Sequence, residues 1–136
     1  MKKKFSTKWK SSKLKRKQRK YKANISKHLK KAFLSSNLSK ELRKKYSRRS
    51  FPLRKGDTVK VLRGKFKNKS GKVSGVNRSK MRVSIENIQA QKKDGTKVNV
   101  WFSPSKIQIQ ELNLEDKKRE QAISRNMEDK NALKKK

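Results

Sequence analysis

Residues 55–76 read KGDTVKVLRGKFKNKSGKVSGV. Successive side chains of a strand point to opposite faces, so Val59 and Val61 share one face while Thr58 and Lys60 share the other. Val73 and Val76 differ in parity, which predicts a bulge or bend at Gly75. Further on, Met81, Val83 and Ile85 alternate with Arg82 and Ser84. Residues 88–91 and 97–102 flank Asp94-Gly95, a dipeptide that favours the tight turn of a hairpin. Pro104 breaks the run, and Ile107 and Ile109 mark a last short strand. Five or so short strands within residues 51–112 predict a mainly β fold: a small, strongly bent barrel. A domain of that size buries only roughly 60% of its unfolded surface.

The flanks have a different chemistry. Residues 1–50 hold 21 Lys or Arg and one acid, Glu41. Two short helical patterns occur there. Ile25, Leu29, Ala32 and Phe33 recur at helical spacing behind Ser26, a candidate N-cap. The second pattern covers residues 39–46, with Glu41 in its first turn and Arg43, Lys44 and Lys45 near its end, a polarity that suits the helix dipole. Helices this short are marginal alone in water, so the arm is expected to order fully on its partner. Residues 113–136 return to helix chemistry, with Asn113 as the expected cap, Asp116 at the capping-box position and Glu115 in the first turn. Beyond about Asn126 the tail NMEDKNALKKK lacks periodicity and is expected to be frayed or disordered. The chain thus divides into a basic arm (1–50), a barrel (51–112), and a C-terminal helix with its tail (113–136).

Across 136 residues, 44 Lys+Arg face 10 Asp+Glu, for a net charge of +34. Such an imbalance repels itself and calls for a polyanion, of which nucleic acid is the first candidate. Hydrophobic residues make up 29% and mean hydropathy is −1.25, too little for one core spanning the chain. The absence of cysteine excludes disulfides, thiolate metal sites and cysteine nucleophiles. No apolar stretch approaches the ~20 residues of a membrane span. The start, MKKKFSTKWK, lacks the apolar run of a secretion signal.

Catalysis finds little support. The single histidine, His28, sits in the basic arm with no matched carboxylate nearby in sequence. Glu111, Glu115, Asp116 and Glu120 read as a helix N-terminus with solvated pairs to Lys118 and Arg119. Residues 64–71 resemble a glycine-rich loop, yet they join two strands rather than opening a helix, so a nucleotide site fails on context. No catalytic residue, metal site or cofactor is expected.

Nucleic-acid binding draws on several groups. Arg63, Gly64, Lys65, Lys67, Lys69 and Lys72 gather on or beside one connection between strands. Phe66 lies among them, placed to stack on a base or to lid the core. In the arm, Lys8, Trp9 and Lys10 form one basic–aromatic group, and Arg16, Arg19, Lys20 and Tyr21 form another. Trp9 and Tyr21 have no apolar neighbours in sequence, which favours stacking against RNA. The first helical pattern contributes His28, Lys30 and Lys31, and the second Arg43 and Lys44. Arg48, Arg49, Arg54 and Lys55 lead into the barrel, and Arg78 and Lys80 follow its second strand.

The opening stretch resembles a KOW motif: Gly56-Asp57, Val59 and Val61, Gly64, then Gly71-Lys72-Val73. Asn68 replaces the usual second-corner glycine, and asparagine tolerates the left-handed conformation. The flanks narrow the resemblance. LSKELRKKYSRRSFPLRKGD (38–57), VSIENIQAQKKDGTKV (83–98) and PSKIQIQELNL (104–114) look like the large-subunit ribosomal protein twenty-four family, in its archaeal and eukaryotic form (called twenty-six in eukaryotes). The likeness covers about residues 25–119, and the long N-terminal arm argues against the bacterial form. It implies an SH3-like barrel that binds large-subunit ribosomal RNA near its 5′ region, close to the polypeptide exit region. It further implies an early role in subunit assembly, neighbouring large-subunit ribosomal proteins as partners and a place in cytoplasmic ribosomes. Neither a homo-oligomer nor membrane insertion is expected. Two other readings use the same features. A transcription elongation module of the NusG type also carries a KOW barrel, but residues 1–50 are too poor in apolar residues to be its α/β domain. A cationic membrane-surface helix would need a broader apolar face than the arm offers.

Overall fold

Val59, Val61, Ile107 and Ile109 are wholly removed from solvent. They lie on β3 (Thr58–Val61) and β7 (Ile107–Glu111), which pair antiparallel with Val59 opposite Ile109 and Val61 opposite Ile107. Alternation along both strands sends every second side chain inward, as their sequence requires. The structure, a computed structural model, describes Ser6 and residues 11–134, with side chains as far as Arg125.

From β3 the sheet continues through β4 (Ser70–Asn77), β5 (Arg82–Gln91) and β6 (Lys97–Phe102), each antiparallel to the last. The β4–β5 register slips between Val73 and Gly75, which is the bulge anticipated from valine parity. β5 is one continuous strand. A second slip, between Ser84 and Gln89, and a positive φ of 61° at Asn87 bend it in the middle. Lys92 and Thr96 close the hairpin around Asp94 and Gly95, where Gly95 takes φ 82°.

Two further strands precede these, one within the basic arm and one across its boundary with the barrel. β1 (Ser35–Leu38) pairs antiparallel with β2 (Ser50–Pro52) and parallel with β7, giving the order β2-β1-β7-β3-β4-β5-β6. Among the described residues the sheet thus has seven strands, of which β3 to β7 are the five or so expected within residues 51–112. The segment SSNL contains no β-branched residue, so nothing in its propensity announces a strand. Its burial is what fixes it. Leu38 is wholly buried, and the Ser36 hydroxyl sits against the carbonyls of Pro104 and Ile107. The fold is mainly β, as expected of a small SH3-like domain. Among the described residues β2 and β6 remain the edges of the sheet.

Helices surround this sheet. α1 (Lys15–Asn24) has no counterpart among the helical patterns read from the sequence. Its sequence, KRKQRKYKAN, has no apolar face and buries no residue, but Lys, Arg, Gln and Ala all favour helix. α2 (Lys27–Phe33) follows Ser26 as expected, although the Ser26 side chain makes no capping bond. Its anchors are Ile25 and Leu34, just outside the helix, while Phe33 is 37% exposed. Seven residues make only two turns, so the chain packs through the flanks of the helix instead of a continuous stripe. α3 (Lys40–Tyr46) is capped by Ser39, whose hydroxyl accepts from the Leu42 N–H at 3.3 Å.

α4 (Lys117–Lys134) departs from expectation at both ends. Asp116, not Asn113, caps it: Oδ1 accepts from the Lys118 N–H at 2.8 Å. Asn113 instead accepts from the Glu115 N–H in the preceding turn. The helix also runs past Asn126 to Lys134, since residues 127–134 contain neither glycine nor proline to stop it. The core thus draws on three regions: Leu34 and Leu38 from the arm, Val59 to Ile109 from the strands, and Ile123 from α4.

Candidate nucleic-acid interface

The β3–β4 connection is a tight turn whose backbone satisfies itself. The Lys67 N–H donates to the Gly64 carbonyl at 2.9 Å and the Asn68 N–H to that of Val61 at 2.8 Å. Gly64 (φ 100°) and Asn68 (φ 68°) supply the two left-handed corners, so asparagine does hold the position of the missing glycine. The result leaves Arg63, Lys65, Lys67 and Lys69 exposed together, with Lys72 exposed on β4. Phe66 has both suggested roles within reach. It packs edge-on against Phe102, with centroids 6.1 Å apart at 81°, while the Lys69 ammonium lies 5.6 Å from its ring.

A second cluster is visible only in three dimensions. Lys31, Arg54, Lys55 and Arg78 line one open groove with Leu34, Pro52, Leu53 and Val76. These cations come from α2, from the β2–β3 connection and from the turn after β4. Lys30 ties two of the walls together, its ammonium donating to the Ser79 carbonyl at 3.3 Å. Arg54 is oriented by a side-chain hydrogen bond and ion pair to Asp116. That bond, reinforced by the Lys118 backbone N–H, holds the Asp116 carboxyl below the usual carboxylate range.

Other expected cations are partly committed to the protein itself. Arg43 Nε donates to the Leu38 carbonyl at 2.8 Å. Arg48 donates to the Ala122 carbonyl on α4, and its guanidinium lies 5.1 Å from the Phe51 ring. Arg16, Arg19, Lys20, Lys44, Arg49 and Lys80 are exposed. Exposed His28 lies 3.5 Å from the Ser26 hydroxyl, and among the described residues no cluster of His, Asp or Glu is arranged to hold a metal. Tyr21 is not isolated as its sequence surroundings imply, because Phe33 stands 6.0 Å away, ring to ring. Lys8, Trp9 and Lys10 lie outside the described residues.

Two basic residues not singled out from the sequence, and one misplaced by it, find their positions in the fold. Lys22 and Arg82 share a shallow groove with Lys80, brought there by α1 and the start of β5. Arg119, expected to form a solvated pair on its own helix, is instead buried, and both of its terminal nitrogens bond Asp57. Of the acids around it, Glu111 accepts from Thr58, and Asp116 from Arg54.

Comparison with known proteins identifies a family. The family model described as "Ribosomal proteins L26 eukaryotic", which also takes in the archaeal proteins numbered twenty-four, matches residues 12–126, a wider span than 25–119. Three archaeal proteins called "Large ribosomal subunit protein uL24" are similar. That of Methanospirillum hungatei is 46% identical over 109 residues, covering 80% of this chain and 91% of its own. The Methanosphaera stadtmanae protein is 40% identical over 114 residues, covering 84% and 97%. That of Korarchaeum cryptofilum is 42% identical over 109 residues, covering 80% and 83%.

Proposed function

This chain belongs to the family of ribosomal proteins numbered twenty-six in eukaryotes and twenty-four in archaea, and on that footing we propose that it is a structural, non-enzymatic constituent of the large ribosomal subunit that binds ribosomal RNA. The observation that carries the RNA-binding part is the convergence of exposed cations on the β3–β4 connection and around the Lys31–Arg78 groove, in a chain of net charge +34. Both sets sit on a sheet whose core orders them, so less flexibility is lost on binding than with a free basic peptide.

In this reading the barrel fixes position, and α1 and α2 neutralise phosphates where RNA helices crowd together. Counterion release offsets the cost of ordering the arm. Recognition is mainly of backbone and shape, because lysine is a point charge with little base-reading geometry. An early place in subunit assembly near the polypeptide exit region, in cytoplasmic ribosomes beside other large-subunit proteins, belongs to the same proposal.

The test is a sucrose gradient of lysate washed in high salt and probed for this protein. Stoichiometric co-sedimentation with the large subunit is expected, since loosely held basic proteins are stripped by salt. Release to the top of the gradient would overturn the proposal in favour of a transient partner.

A further inference from the structure

We infer that the groove between α2, the β2–β3 connection and the β4–β5 turn takes a single unstacked nucleotide, its base on the apolar floor and its phosphates on the surrounding cations. The inference deepens the RNA-binding reading and rests on it. A surface that only neutralised a duplex would need no apolar floor, because an RNA helix presents phosphates, sugars and 2′-hydroxyls to its surroundings. Here Pro52 and Val76 are half-buried, with Leu34 and Leu53 beneath them. Their aliphatic surface suits the flat face of a base that has left its stack, and water does not.

The rim supplies the charge. Lys31, Arg54, Lys55 and Arg78 approach from three separate segments, and the carboxylates close by are already held, Asp116 by the Arg54 side chain and buried Asp57 by Arg119. Arg54 is therefore presented in a fixed orientation, and a planar guanidinium can both fork onto phosphate and stack on a base. The Lys30–Ser79 bond joins α2 to the turn that bears Arg78, on two sides of the groove. The groove holds about 620 Å³, room for one nucleotide but not for a helix.

The experiment uses the full chain with three short RNA duplexes: one with a single bulged 4-thiouridine, one with an abasic site at the bulge, and one fully paired. The bulged RNA should bind about five- to tenfold more tightly than the other two, the scale expected for burying one base face. Irradiation should crosslink the thiouridine to peptides spanning residues 52–55 or 76–78. Equal, salt-sensitive affinity for all three RNAs would overturn the inference and leave the RNA-binding reading intact. A preference for the bulge with crosslinks elsewhere would likewise remove the groove as its seat. Failure of every duplex to bind in a salt-dependent way would overturn the RNA-binding reading, and the inference with it.

Discussion

Arg119 and Asp57, 62 positions apart, meet through two hydrogen bonds of 2.7 and 2.8 Å, with neither side chain more than 3% exposed. Asp57 is fully engaged, since its oxygens also accept the backbone N–H groups of Asn113 and Arg54. Arg119 additionally donates to the carbonyls of Asn113 and Pro52, and its guanidinium lies 5.2 Å from the Phe51 ring. Of its nitrogens, Nε alone is buried without a partner. A residue of the motif corner thereby becomes the socket for the C-terminal helix.

Removing either partner strands a buried charge. Asp57→Ala and Arg119→Met should each lower unfolding stability by about 3–5 kcal/mol in urea titrations. Arg119→Lys should recover only part of that, because an ammonium cannot make the forked pair. A loss below about 1 kcal/mol for both single variants would refute the socket.

Asp116 predicts a dependence on pH. Its hydrogen bond from Arg54 depresses the folded pKa below the ordinary aspartate value. A depressed carboxylate stabilises the fold above its unfolded pKa, and that contribution fades as pH falls through the lower folded value. Asp116→Asn should therefore be less stable than the parent at neutral pH, with the gap closing below about pH 4. Melting curves from acid to neutral pH measure this, and a gap independent of pH contradicts it.

Gly71 and Asn68 separate crowding from backbone strain. A Cβ at Gly71 would lie 2.9 Å from the Glu86 carbonyl oxygen and 3.0 Å from Ile85 Cγ2, where the paired strand cannot yield. Gly71→Ala should destabilise by about 1–3 kcal/mol, as overpacking does. Asn68→Gly should be neutral or slightly stabilising, because φ 68° is one that glycine adopts freely, whereas Asn68→Val should cost about 1–2 kcal/mol. Thermal melts of the three variants rank them.

The exposed β3–β4 cations should govern salt sensitivity more than fold. If about ten phosphates are neutralised, log affinity for a large-subunit RNA fragment falls with log salt at a slope near −9. Replacing Lys65, Lys67, Lys69 and Lys72 by Gln should flatten that slope to about −5 or −6 and leave the melting temperature within a few degrees. An unchanged slope would remove this connection from the interface.

Much of this protein was legible along the chain because its signals are local. Alternating Val59 and Val61, and Ile107 and Ile109, specify which face of each strand is buried whatever the partner strand is. Left-handed corners at Gly64 and Asn68 and the Asp94-Gly95 hairpin depend on a few consecutive residues, and they appear where those residues place them. The charge of +34 needs no structure to call for a polyanion. Tertiary structure alone decided what rests on distant partners. Ser35–Leu38 is a strand because β7 and β2 accept it, Arg119 is buried because Asp57 receives it from 62 residues upstream, and Lys31, Arg54, Lys55 and Arg78 share a groove because three segments converge. Propensity and periodicity reach only one turn or one strand along the chain. Burial and long-range pairing are properties of the assembled sheet, and so could be read only from it.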